Sequence, residues 1–188
     1  MSVGVRTLSL VQFLKRPETK PAREYVDGMV VSKVSPKYRH SRLQLHLTDT
    51  INDFAHPLKL GEAVPELRCT FAGRSYVFDI SYFRLDRIAY GPDGELVDDV
   101  FLAPDFAIEI RSPDQSARGI EAKPRFCVQH GVRLAWLVDP LRRTVTVFRP
   151  GARPQRLAGN ESLDGGDVLP GFTLSVQTIF GWLRRENA

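Results

Sequence analysis

The chain has 188 residues, 43% hydrophobic and 26% charged, which excludes a disordered, collagenous or coiled-coil protein and leaves a globular one with a core of ordinary size. Its 26 basic residues exceed its 22 acidic ones, giving a net charge of +4, a balance that permits phosphate binding without demonstrating it. Two cysteines, Cys69 and Cys127, exclude a disulfide framework and a cysteine zinc site.

No apolar run approaches the roughly 18 residues of a membrane span. Leu8-Ser9-Leu10-Val11 is too short for a signal-peptide core, so a reduced, cytoplasmic protein is expected. Taken in order, Leu8 to Leu14 predicts a short helix ended by Pro17. Asp27-Gly28, set between two β-prone runs, predicts a hairpin. Leu43, Leu47, Ile51 and Phe54 are spaced as one face of a helix from His40 to Phe54, long enough to pack across a sheet. His40 opens that helix, and its ordinary reading is a cap or surface histidine.

Val64–Phe71 and Ser75–Phe83 read as two strands joined by Ala72-Gly73. Tyr90–Asp99 reads as a surface loop. Phe106–Ile110 is a buried strand ended by Ser112-Pro113-Asp114. Ile120–His130 predicts a helix with Pro124 near its start and Gly131 as its cap. Arg133–Val138 reads as a buried strand, Arg143–Phe148 as a half-exposed one, and a short helix surrounds Ile179, Phe180 and Leu183. The order implies an α/β (α+β mixed) fold, a central mixed β-sheet flanked by helices with an N-terminal β-hairpin.

Two acids interrupt apolar strands. Glu109 lies within Phe106–Ile110 and Asp79 within Ser75–Phe83. A carboxylate is costly to bury unless a cation meets it, so each has an ion-pair partner or a metal. In neighbouring strands both can reach one point, where they repel unless a cation lies between them. Oxygen donors select hard ions, which points to Mg2+ with Mn2+ as a substitute. One alternative needs no metal: Glu109 can pair with Arg111 or Arg118, and Asp79 with Arg74 or Arg84, in a purely structural domain.

An ordered set of segments carries a resemblance. It comprises Glu24-Tyr25-Val26-Asp27-Gly28, His40, Val77-Phe78-Asp79-Ile80, and Pro104-Asp105-Phe106-Ala107-Ile108-Glu109-Ile110 with Ser112-Pro113. Lys123, Trp136-Leu137-Val138-Asp139-Pro140 and Leu169-Pro170-Gly171-Phe172 complete it. In these the chain resembles the Uma family of bacterial restriction endonucleases, within the PD-(D/E)XK nuclease superfamily. The resemblance implies one restriction-endonuclease-like domain over 1–188 that hydrolyses phosphodiester bonds of DNA with Mg2+. It makes Asp79 and Glu109 the metal ligands, with the Ile110 carbonyl as a third, and Lys123 the catalytic cation supplied by the following helix. Arg111, two residues after Glu109, stands where the superfamily more often has lysine; with His40 and Glu24 it forms a second tier. A homodimer is a further implication, and the alternative is a nuclease-fold module that binds nucleic acid or protein without cutting.

Overall fold

The computed structural model describes residues 8–113 and 119–185. Asp114 and Arg118, invoked above, lie outside them. Helix α1 (Leu10–Leu14) carries a capping box: Gln12 N donates to Ser9 Oγ while Ser9 N donates to the Gln12 side chain. The expected hairpin is β1 (Arg23–Val26) with β2 (Met29–Ser32). Asp27 and Gly28 have φ of 51° and 83°, the left-handed pair of a type I′ turn. Helix α2 (Tyr38–Ala55) buries His40, Leu43, Leu47, Ile51 and Ala55 along one stripe.

Between Gly61 and Arg84 the two strands read from the sequence are four. The first divides into β3 (Gly61–Pro65) and β4 (Arg68–Phe71), the second into β5 (Arg74–Val77) and β6 (Ile80–Arg84). The register is continuous across the break, with Gly61 opposite Arg84, Pro65 opposite Ile80, Arg68 opposite Val77 and Phe71 opposite Arg74. These elements are therefore one long hairpin bent in the middle. Its tip turns at Ala72 and Gly73, with φ of 46° and 76°. At the bend Glu66 takes φ 53°, a conformation uncommon outside glycine. Two bonds hold the bend, Glu66 N to Asp79 O at 3.3 Å and Phe78 N to Leu67 O at 3.3 Å.

The remaining elements are β7 (Phe106–Ile110), α3 (Ala122–Gln129), β8 (Leu134–Asp139), β9 (Thr144–Phe148), β10 (Gln155–Ala158), β11 (Ser162–Asp164), β12 (Thr173–Ser175) and α4 (Val176–Gly181). The outer half of the bent hairpin joins a four-stranded sheet ordered β2-β1-β5-β4. The inner half joins a six-stranded sheet ordered β10-β9-β8-β7-β6-β3, in which only β7 and β8 run parallel, linked through α3. A parallel pair requires such a crossover. Strands β10 and β11 carry no long apolar alternation, and the sequence reading missed them. Pro124 falls in the first turn of α3, where its missing N–H costs no bond.

The six-stranded sheet is covered on both faces, and the alternation within β7 shows how. Phe106, Ile108 and Ile110 join Leu43, Leu47 and Ile51 of α2 and Ile179 and Phe180 of α4 in one core. Ala107 faces the other way, into a second core with Phe71, Tyr76 and Phe78 of the bent hairpin and Cys127 of α3. Glu109 has the parity of Ala107 and so belongs to the α3 side. Both cysteines are buried and free. Strand β9, read as half-exposed, is buried from Val145 to Phe148, because both faces of this sheet are packed. No helix among the described residues is long and apolar enough to cross a membrane.

Candidate active site

Asp79 occupies the bend where the hairpin passes from one sheet to the other. There it lies between the named strands of both sheets, and it is 2% exposed. Oδ2 accepts from Ile110 N at 2.7 Å and meets His40 Nε2 at 3.0 Å. Oδ1 accepts from Lys33 Nζ at 2.6 Å. Gln44 Nε2, one turn beyond His40 on α2, donates to the Asp79 carbonyl at 2.8 Å. The register Ile80 opposite Ile108 sets Asp79 across from Glu109, although the ladder stops one residue short.

Glu109 is met by α3. Lys123, in the first turn of that helix, places Nζ 2.6 Å from Glu109 Oε1 and 2.6 Å from Glu24 Oε1. It also donates to the Val77 carbonyl at 3.3 Å and lies 4.6 Å from the Phe78 ring centroid. Glu24 reaches in from β1 and accepts from Val77 N at 2.9 Å. Every element of the junction thus contributes charge: β1 supplies Glu24, the segment after β2 Lys33, α2 His40, the bend Asp79 and the exposed Glu66, β7 Glu109 and α3 Lys123.

The two central acids have opposite electrostatics. Burial alone would raise the pKa of Asp79, but the His40 hydrogen bond and the Lys33 charge outweigh it and hold the carboxyl below the usual range. Burial pushes Glu109 up to about 7, opposed by Lys123 and reinforced by the charge of Asp79. Burial works against the charge on Lys123, yet Glu109 and Glu24 raise its pKa above that of an ordinary lysine. Lys33 is raised as well: burial is overcome by Glu109 and Asp79. Both lysines are therefore fixed cations.

Asp79, Glu109, Lys123, Glu24 and His40 all converge here. His40 is no surface cap; it is 5% exposed and bonded to Asp79. Arg111 is directed elsewhere, with Nη1 2.8 Å from Asp139 Oδ2. The structural pairings weighed for Asp79 do not form, since Arg74 binds Asp27 and Arg84 binds Asp86. Glu109 has Lys123 instead of Arg111. The sequence reading missed Lys33 and Gln44. Gln44 stands four residues after His40, one helical turn away, a signal that could have found it. Lys33 carried none, because only the hairpin's docking against the bend aims it.

The donor chemistry suits a hard cation. Asp79 and Glu109 offer carboxylate oxygens and Ile110 a main-chain carbonyl. Glu24, Asp79, Glu109 and the more exposed Glu66, 3.6 Å from Lys33, face two ammonium groups and an imidazole, and burial together with the Asp79 charge raises Glu109. Among the described residues no group of three or more His, Cys, Asp or Glu is arranged to hold a metal ion. Asp79 and Glu109 could supply two carboxylates to such an ion, a number that suits Mg2+, which keeps several waters.

The sequence model of a family described as "Uma2: Putative restriction endonuclease" matches residues 10–177. The chain belongs to the Uma2 family. A crystal structure from Anabaena variabilis, described as "a putative nuclease belonging to DUF820", is similar to this Uma2 chain. It is 36% identical with a TM-score of 0.90, covering 94% of this chain and 99% of that one. No curated protein matches the chain. The bent hairpin, the mixed sheet and its flanking helices are therefore the fold of a Uma2 protein.

Proposed function

We propose that this Uma2 protein is a metal-dependent endonuclease that hydrolyses phosphodiester bonds of DNA. It would act as one domain over 1–188, in the cytoplasm, as a homodimer that presents one site to each strand. The observation that carries the reading is the meeting of Asp79, Glu109 and Lys123 at the junction of the two sheets. Asp79, Glu109 and the Ile110 carbonyl would hold Mg2+, or Mn2+ in its place. Bound there, the ion would polarise the phosphate and lower the pKa of a water. Lys123 stays protonated, so it orients the attacking water and offsets charge developing on the phosphoryl oxygens. His40 and Ile110 N fix the Asp79 carboxylate, and Glu24 fixes Lys123. Arg111, always protonated, would serve substrate phosphates.

One observation favours a second reading, a nuclease-fold module that binds without cutting: Asp79 and Glu109 are each already paired to a lysine. Conversion of supercoiled plasmid separates the two. Nicking or linearisation in Mg2+ or Mn2+ that stops with EDTA supports the endonuclease; retained DNA binding with no cutting in either ion supports the module.

A further inference from the structure

A second basic region lies on the other flank of α2. Helical spacing sets Gln44, which bonds Asp79 O, on one flank, and Arg42 and His46, four residues apart, on the other. There they line a cleft of about 960 Å³ with Arg143, Arg184, Gln177 and Trp182. No aspartate or glutamate is among the described residues that line it. Arg42 Nε donates to Trp182 O at 2.5 Å and Arg143 Nη2 donates to Phe180 O at 3.0 Å. These bonds use the last carbonyls of α4 to fix two guanidinium groups in place. The His46 imidazole stacks on the Trp182 indole at 5.2 Å and 21°.

The contrast with nearby arginines matters. Arg111 and Arg142 both reach Asp139, at 2.8 and 3.6 Å. Arg42, Arg143 and Arg184 form no ion pair with any described carboxylate. Three uncompensated guanidinium groups converging beside a stacked aromatic pair suit a chain of phosphates bearing planar bases. An acidic peptide would satisfy the charge but leave the aromatic pair unused.

We infer that the Arg42–Arg143–Arg184 cleft is a second nucleic-acid site, which grips the phosphodiester backbone of a single strand about a helix's width, roughly 10 Å, from Asp79. This rests on the reading that nucleic acid is the substrate. It adds that substrate is held on both flanks of α2. Three phosphate contacts contribute about 2 to the slope of log K against log salt for a single strand.

The test uses the full chain in EDTA and fluorescence anisotropy with a labelled oligonucleotide of about 12 nucleotides, single-stranded and duplex, at several salt concentrations. Arg184→Glu is exposed and leaves the α4 carbonyl bonds intact. It should weaken single-strand binding about 5- to 20-fold near 0.1 M salt and flatten the slope by about 1. Gln177→Glu, which adds an acid to the cleft wall, should weaken it about 3-fold. Arg153→Glu, an equal charge change in the connection between β9 and β10, should change it less than about 2-fold. Equal losses in Arg184→Glu and Arg153→Glu, or no loss in either cleft variant, overturn the inference. So does tighter binding of hexaglutamate than of the oligonucleotide. Plasmid cutting is scored separately. Cutting with unaltered affinity in the cleft variants defeats the cleft alone, whereas lost affinity in a protein that does not cut defeats the nuclease reading alone.

Discussion

Strand β7 has a buried acid before its first residue and a half-buried one near its last, and the two ends are built differently. Asp105, 1% exposed, has one cation, Arg87, at 2.7 Å, and its other oxygen accepts from Arg84 N at 3.0 Å. Charge there balances one for one. At the opposite end, about 13 Å away at strand rise, Glu24, Asp79 and Glu109 share Lys33, Lys123 and His40. Asp105 and Asp79 are almost equally buried, at 1% and 2% exposed. A structural acid has each oxygen satisfied by one fixed partner, whereas a cluster with more acids than ammonium groups holds charge that a ligand can neutralise.

The largest expected effect bears on the crowded end. Lys123→Ala should lower plasmid cutting by at least about 100-fold while calorimetric Mn2+ binding persists. Arg111→Ala should mainly weaken substrate binding, less so at low salt. The reverse pattern in the plasmid assay would move the active cation to the strand.

Next comes the balanced end. Asp105→Ala strands Arg87 and the Arg84 N–H, and should cost about 2–3 kcal/mol, below the value for a fully buried pair because Arg87 is one-third exposed. Urea unfolding measures it. Mn2+ affinity of the folded fraction should be unchanged, and a loss there would erase the distinction between the ends.

The two central acids should then part company. Asp79→Asn leaves Lys33 and His40 facing a neutral amide and should destabilise by about 1–3 kcal/mol. This reverses what repulsion between two acids alone would suggest. Glu109→Gln, at a position where burial already disfavours the charge, should stay within about 1 kcal/mol of wild type. Both substitutions should abolish Mn2+ binding, and a variant that still binds removes its residue from the metal site.

The smallest effect concerns Asp139, which closes β8 beside the site. Burial would raise its pKa, but Arg111 and the N–H groups of Arg142 and Leu141 lower it. A depressed carboxylate adds stability above its unfolded pKa and loses it as pH falls through the folded value. Asp139→Asn should therefore cost about 1 kcal/mol near neutrality. The difference from wild type should shrink as pH drops below the ordinary carboxylate range, as thermal melts across acid pH would record. A difference constant with pH would assign the loss to packing instead of charge.

Local chemistry made much of this chain legible from its sequence. Asp27-Gly28 specifies its turn because both residues tolerate left-handed φ, and the Leu43-Leu47-Ile51 spacing specifies α2 because one stripe must be buried. Asp79 and Glu109 were visible as acids in apolar strands, since an unpartnered carboxylate there is too costly. The tertiary structure decided the rest. The hairpin from Gly61 to Arg84 reads as two unbroken strands because each half is apolar and β-prone; its bend exists only because the halves belong to different sheets. Asp79 lies at that bend, and docking of β2, α2 and α3 against it brings Lys33, His40 and Lys123 from distant parts of the chain. Partner choice between charges depends on distance and burial, and neither is set by local sequence.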